Sequence, residues 1–247
     1  MPSFQDDAIV LRKFDYSETS QILALMTRGH GKVRAIAKGI RRGTKNRFAV
    51  GVDLLDVGQA VLSGRSDRSE NLTLLTEWKP RLGFHGLRDG LPRLYAALYV
   101  AEIVDALTEV WDVHDGLFDE VFRTLINLGR SIEPLAELVD FLPAFLKSLG
   151  SLPRWDACVL CGRSGDLTHF SSHEGGLVCR HCEGRRAEKM ELSPETIGRL
   201  RGVPQSDHPA SPIGPFVILH YHVSHLMGRE SLLVNYLVSP RDRRSVH

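Results

Sequence analysis

Long apolar runs are missing from this 247-residue sequence, and no stretch approaches the roughly 20 residues of a membrane-spanning helix. Residues 1–7 hold two acids and no base, so they do not read as the start of a secretory signal, and a cytoplasmic protein is expected. There is no nucleophile elbow, dinucleotide fingerprint or cluster of carboxylates, which leaves a catalytic reading no residues to rest on. The nearest approach to a phosphate loop is Gly39-x-x-x-Gly43-Thr44-Lys45. It has three residues between its glycines where a Walker loop has four, and its Thr and Lys stand in reversed order. Aromatic residues make up only 7% of the chain and cysteine occurs four times. Acidic residues are absent between residues 19 and 52.

That acid-free window holds eight cations: Arg28, Lys32, Arg34, Lys38, Arg41, Arg42, Lys45 and Arg47. Lysines and arginines that neutralise phosphates release condensed counterions, so an uncompensated run of this kind suits a polyanion-binding surface. Taken alone, it equally suits a solvated charged loop. The formal net charge of the whole chain is only +1, so the cations are concentrated by position. Residues 1–81 carry 14 Lys+Arg against 9 Asp+Glu, a net of +5, and residues 82–157 carry 6 against 12, a net of −6. A basic head on an acidic middle suggests separate partners for separate parts. Only Phe14, Tyr16 and Phe48 lie near the basic run, which favours tracking of a nucleic-acid backbone over a stacked platform.

The expected fold class is α+β. Ala8-Ile9-Val10-Leu11, residues 21–27, 32–38, 54–63 and 72–78 read as five short strands, the last closed by Pro80. Arg28-Gly29-His30-Gly31 makes a hairpin connection between the second and third. Along the third, Val33, Ala35 and Ala37 alternate with Lys32, Arg34, Ile36 and Lys38. Five strands in about 80 residues fit an OB-type barrel, a fold used for oligonucleotides. From Leu91 the period becomes helical: Leu91, Leu94, Leu98 and Ala101 share a face in a helix running to about Trp111. A second helix carries Leu117, Phe118, Val121, Phe122 and Leu125. A third runs from Glu133-Pro134 to Leu149, and Pro143 is expected to kink or break it. Ser193-Pro194 reads as an N-cap followed by the first helical residue, and the last helices are expected over residues 215–227 and 231–238. The domains are therefore 1–80, the OB-fold; 81–154 and 188–240, the two parts of a helical domain; 155–187, a metal-binding module; and 241–247, a polar tail.

Cys158, Cys161, Cys179 and Cys182 form two Cys-x-x-Cys pairs at the spacing of a four-thiolate zinc site. A two-residue gap lets a tight turn aim both sulfurs at one ion, and two such turns complete a tetrahedron with no open position, so the Zn2+ would be structural. Two disulfides or four unrelated thiols are the other readings, the former disfavoured in a cytoplasmic chain. His169, His173 and His181 lie close to the cysteines but are not needed as ligands. His220, His222 and His225 lack the glutamate of a zincin helix and read as ordinary helix residues.

Together, Ala8-Ile9-Val10-Leu11-Arg12 with Tyr16-Ser17-Glu18, then Thr27 to Gly31, then Ala37-Lys38-Gly39-Ile40-Arg41-Arg42, and the late paired cysteines resemble the bacterial recombination-mediator family RecO over essentially the whole length. The resemblance implies an OB-fold followed by a helical bundle that carries a zinc module. It further implies a non-enzymatic, nucleoid-associated DNA repair protein that binds single- and double-stranded DNA and anneals complementary strands. Such a protein works with RecR and RecF to load RecA onto DNA coated by single-strand-binding protein. The alternative is a zinc-ribbon protein-interaction adaptor, or an RNA-binding factor, without annealing activity.

Overall fold

The computed structural model describes residues 3–40, 51–63, 72–82, 84–185, 188–202 and 211–244. The chain divides into two compact units, Met1–Ile132 and Glu133–His247.

The first unit is built on a closed five-stranded barrel: β1 (Ser3–Asp15), β2 (Gln21–Thr27), β3 (Gly31–Ala37), β4 (Val57–Ser63) and β5 (Thr73–Leu82). The strand order is β1-β2-β3-β5-β4, with β4 returning to β1 and only β3–β5 parallel. β1 is far longer than the apolar run Ala8–Leu11 suggested, because it serves two neighbours. Residues 3–9 pair with β4 and residues 8–15 pair with β2, around a register shift between Val10 and Arg12. Such a bulge bends a strand and lets it close a barrel. Polar flanks hid these extensions, since Asp6, Asp7, Arg12 and Lys13 break the apolar alternation. β5 likewise runs through Pro80, which lies opposite Gly58 beside a second register shift, where a missing N–H donor is tolerated. Inside sit Ala8, Val10, Leu23, Leu25, Val33, Ala35, Ala37, Leu62, Leu75 and Trp78, as the expected alternation of β3 requires.

The β2–β3 hairpin needs Gly31 twice over. Its φ of +68° lies in the left-handed region. A Cβ there would stand 1.9 Å from the Asp112 carbonyl oxygen. The segment following α1 (Leu91–Leu107) lies this close because it joins the sheet: Val110 bridges Lys32, and the Trp111 N–H donates to the Lys32 carbonyl at 2.8 Å. That is why the helix stops at Leu107 and does not reach Trp111. Thr108 ends it, with both its N–H and its hydroxyl donating to the Val104 carbonyl. The helix also buries a different stripe from the expected one. Ala97, Val100, Ala101 and Val104 are covered, whereas Leu91 is exposed. α2 (Leu117–Arg130) completes this unit and buries Leu117, Phe118, Val121, Leu125 and Leu128.

The second unit begins with α3 (Pro134–Ser148), which continues through Pro143 without ending. A mid-helix proline costs about 3 kcal/mol. Leu138, Val139, Phe141, Leu142, Phe145 and Leu146 are all buried along the helix, and at about 1.5–3 kcal/mol each their burial outweighs that cost. A three-stranded sheet of order β7-β6-β8 follows, from β6 (Leu167–Ser171), β7 (Gly176–Cys179) and β8 (Met190–Glu191). α4 (Pro194–Leu200) opens as expected, with the Thr196 N–H donating to the Ser193 hydroxyl at 3.2 Å and Pro194 in the first turn. α5 (Ile213–Met227) packs on α3 and α4. The helix expected over residues 231–238 is only the single turn α6 (Val234–Leu237), and α7 (Pro240–Arg244) follows it.

Candidate nucleic-acid interface and metal centre

The eight cations of the basic run do not share one environment. Arg41, Arg42, Lys45 and Arg47 lie outside the described residues. Arg28 is half-exposed but engaged: its guanidinium reaches Asp7 at 3.7 Å, bonds Asp119, and lies 4.3 Å over the Phe118 ring. Lys32 is buried. Its ammonium bonds the Asp105 carbonyl and stands 3.5 Å from the Asp105 carboxylate. Burial holds its pKa below the usual lysine value despite that carboxylate. With its side chain only 5% exposed and its ammonium engaged by Asp105, Lys32 is a buried brace and not an exposed cation. The period-two alternation placed it correctly on the outer face of β3, but the segment after α1 then covers it.

Arg34 and Lys38 are different. Both are exposed, and among the described residues neither has an ion-pair partner. Lys38 stands one residue past β3 and leads into the cations at 41–47. Across the sheet, strand register sets Arg12 opposite Ala24 and Ala24 opposite Arg34. The small Ala24 leaves the two guanidinium-bearing positions on one face, two strands apart. Arg12 was not among the expected contacts, because β1 was read as ending before it.

In the second unit the four cysteines come together. Their sulfurs all lie within 4.8 Å of one another, and the Cys161 and Cys179 sulfurs are 3.7 Å apart. A tetrahedron with metal–sulfur bonds of about 2.3 Å has edges of about 3.8 Å, so the set fits one ion. Backbone turns hold it. The Gly162 N–H donates to the Cys158 carbonyl at 2.8 Å with Gly162 at φ +75°, and the Cys182 N–H donates to the Cys179 carbonyl at 2.9 Å. Burial opposes ionisation of Cys158, but hydrogen bonds from the backbone at Cys179, Leu160 and Cys161 outweigh it and bring its thiol down to about 6. Burial, followed by hydrogen bonds with the other thiols, pushes Cys182 up to about 12. His169 is occupied elsewhere, its Nδ1 2.6 Å from Glu183, and His173 is largely exposed beside Glu174. Among the described residues the candidate ligand group is the four cysteines alone.

A carboxylate with no sequence signal ties this module to α5. Glu188 accepts from the Ser171 hydroxyl at 2.5 Å, the Tyr221 hydroxyl at 2.5 Å and the Ser172 N–H at 3.0 Å. Beside it, buried His222 has Nδ1 2.8 Å from the Ser172 hydroxyl and Nε2 2.9 Å from the Ser151 carbonyl. The carbonyl can only accept, so Nε2 carries the proton and the Ser172 hydroxyl donates to Nδ1. Burial favours the protonated Glu188, but the four donors (the His173 N–H is the last) outweigh it and depress its pKa below 4.5. A depressed carboxylate adds stability that is fully present above the unfolded value and is lost as pH falls through the folded one. Glu188→Gln is therefore expected to flatten the acid-side fall in stability below about pH 4.5, measured by urea denaturation at stepped pH. A wild-type and variant difference that does not shrink on acidification removes Glu188 from that role.

Residues 1–84 match the family model "Recombination protein O N terminal" and residues 88–208 match "Recombination protein O C terminal". The DNA repair protein RecO of Rhodopirellula baltica is 35% identical over 198 residues, 78% of this chain and 72% of its own. That of Myxococcus xanthus is 28% identical over 247 residues, 96% of this chain and 98% of its own. That of Bacillus subtilis is 29% identical over 197 residues, 79% and 74%. Among the described residues no helix is long and apolar enough to cross a membrane.

Proposed function

Because the chain belongs to the RecO family of DNA repair and recombination proteins, which are mediators and not enzymes, we propose that it binds single- and double-stranded DNA through the basic edge of its barrel. It then anneals complementary strands and, with RecR and RecF, helps to load RecA onto DNA coated by single-strand-binding protein. The observation that carries the reading is the pair Arg34 and Lys38, exposed and without acidic partners among the described residues, at the start of a segment holding four more cations. Free cations at a strand end neutralise phosphates without reading bases, so sequence preference should be weak and salt dependence strong. DNA binding is assigned to residues 1–80, and the cysteine module at 155–187 is assigned a structural zinc ion. Four thiolates form the closed, soft site that zinc favours and leave no position for water.

The test is the double variant Arg34→Glu with Lys38→Glu. Affinity for both single strands and duplex should fall by about tenfold or more at moderate salt, and the log–log salt slope on single strands should shrink by about 1.4, two contacts of about 0.7 each. Annealing of oligonucleotides coated by single-strand-binding protein should fall in parallel while metal content stays constant. Unchanged affinity would leave the adaptor reading standing in its place.

A further inference from the structure

The four sulfurs of the metal centre are not equally sheltered. Cys158 and Cys179 are fully buried and Cys182 is 9% exposed, whereas Cys161 lies open to solvent. From Cys161 to Asp166 every residue is exposed, since this stretch forms the outward turn after the first cysteine pair. Gly162 at φ +75°, with its N–H bonded to the Cys158 carbonyl, folds that turn tightly. It carries Cys161 to the rim of the cluster while Cys158 stays inside. The sulfur of Cys179, at the end of β7 in the interior, stands 3.7 Å from the Cys161 sulfur. One cysteine therefore meets solvent and another, from the other pair, stands directly behind it.

A metal ion held by the four cysteines keeps each sulfur as a thiolate. Thiolate character and exposure together decide which cysteine an oxidant reaches first, and a second cysteine close by decides whether a disulfide follows. Cys161 alone of the four combines exposure with a sheltered neighbour at 3.7 Å. With hydrogen peroxide as the oxidant, the Cys161 thiolate attacks one peroxide oxygen, the O–O bond breaks, and hydroxide leaves behind a sulfenic acid. The Cys179 thiolate then attacks the Cys161 sulfur, so that an S–S bond forms, the S–O bond breaks and a second hydroxide leaves. Two sulfurs have given two electrons to the peroxide, and the two hydroxides take protons from water. The sulfurs have to close from 3.7 Å to about 2.05 Å. Cys158 and Cys182 then remain as two thiolates where a closed site uses four.

We propose that Cys161 is a peroxide-oxidation site and that its disulfide with Cys179 opens the cysteine module, so that an oxidant reversibly unlocks the second unit of the protein. The inference rests on the metal-centre reading above and gives the uneven burial of the ligands a use. The opening spreads along named bonds. Cys179 pairs with Leu167 of β6, the Val159 N–H donates to the Leu177 carbonyl, and the Leu177 N–H donates to the Arg154 carbonyl. β6 ends on Ser171, whose hydroxyl shares the Glu188 carboxylate with Tyr221 of α5. The barrel belongs to the other compact unit and keeps its strands. In a reducing compartment disulfides are rare, so the module rests closed there and a thiol reductant restores it.

The full chain, loaded with zinc and freed of small thiols, provides the test. Its metal content before treatment reads the metal centre on its own, and absence of a bound ion removes the centre and the oxidation site with it. Hydrogen peroxide should then release about one ion for each disulfide formed, followed with a chromogenic chelator. Peptide mass spectrometry should find Cys161 joined to Cys179, and a thiol reductant with zinc should reverse both changes. Dimedone present during oxidation should label Cys161 ahead of the three sheltered cysteines. Cys161→His, which keeps a fourth ligand without a thiol, should hold its ion through a peroxide exposure that empties the wild type. Where that variant binds no metal, the dimedone label on the wild type decides alone. An ion retained under peroxide, a label spread evenly over the four cysteines, or disulfides within each Cys-x-x-Cys pair overturns the oxidation site and leaves the metal centre standing.

Discussion

Cys179→Ser should release the metal and unfold the cysteine module locally while leaving the barrel folded. Cys179 ends β7 and is fully buried, and with Cys158, Val178 and Cys182 it forms the small core on which the module closes. Val159, Leu160 and Leu167 pack at the edge of that core, and Phe170, Leu177 and Met190 of the same small sheet, with Leu192 just after it, belong to a second cluster that reaches Ile218 of α5. Structural zinc contributes about 10–16 kcal/mol in peptides of this ligand type, comparable with the about 5–15 kcal/mol that holds a whole domain. A site on that scale cannot lose a ligand and keep its turns. Metal content by mass spectrometry should fall from about one ion per chain to near zero, and hydrogen exchange over residues 155–192 should accelerate. Exchange over residues 3–40 should not change, because those residues lie in the other compact unit. Chelation of the wild-type protein should reproduce the effect. Protected amides in the module after the metal has gone would show that its hydrophobic contacts suffice alone.

The module was legible in the sequence because its ligands are short-range: each pair needs only a local turn, and spacing alone reports that. The barrel was legible for a related reason, since β2 is a short apolar run, β3 loosely alternates, and the two meet through a glycine-bearing turn. The chain ceased to report itself where long-range contacts decide. Polar residues extend β1 at both ends because two different strands pair with it. Pro143 sits inside α3 because burial on both sides of it outweighs one lost hydrogen bond. Glu188 has no motif, and its four donors come from residues 171, 172, 173 and 221.

The basic run gives the sharpest case, and Lys32→Met tests it. By composition Lys32 and Arg34 are equivalent members of one cationic stretch, two residues apart on the same face of β3. By structure, Lys32 is a buried brace that bonds the Asp105 carbonyl near the end of α1 and pairs with the Asp105 carboxylate. Replacing it with methionine keeps the stem but leaves Asp105, only 14% exposed at its side chain, without its principal cation. Removing one partner of a buried pair costs about 3–5 kcal/mol. Arg12 remains at 3.6 Å, which places the expected loss at the lower end, about 3 kcal/mol. At temperatures where the variant is folded, its DNA affinity and salt slope should match the wild type, because the ammonium never faced solvent. Arg34→Glu should do the reverse, with stability within about 0.5 kcal/mol of wild type as for other surface changes and a weakened grip on DNA. Equilibrium denaturation and anisotropy on the same two samples decide it. A Lys32→Met protein of normal stability and reduced DNA affinity would return Lys32 to the interface and undo the division of the run into brace and contact.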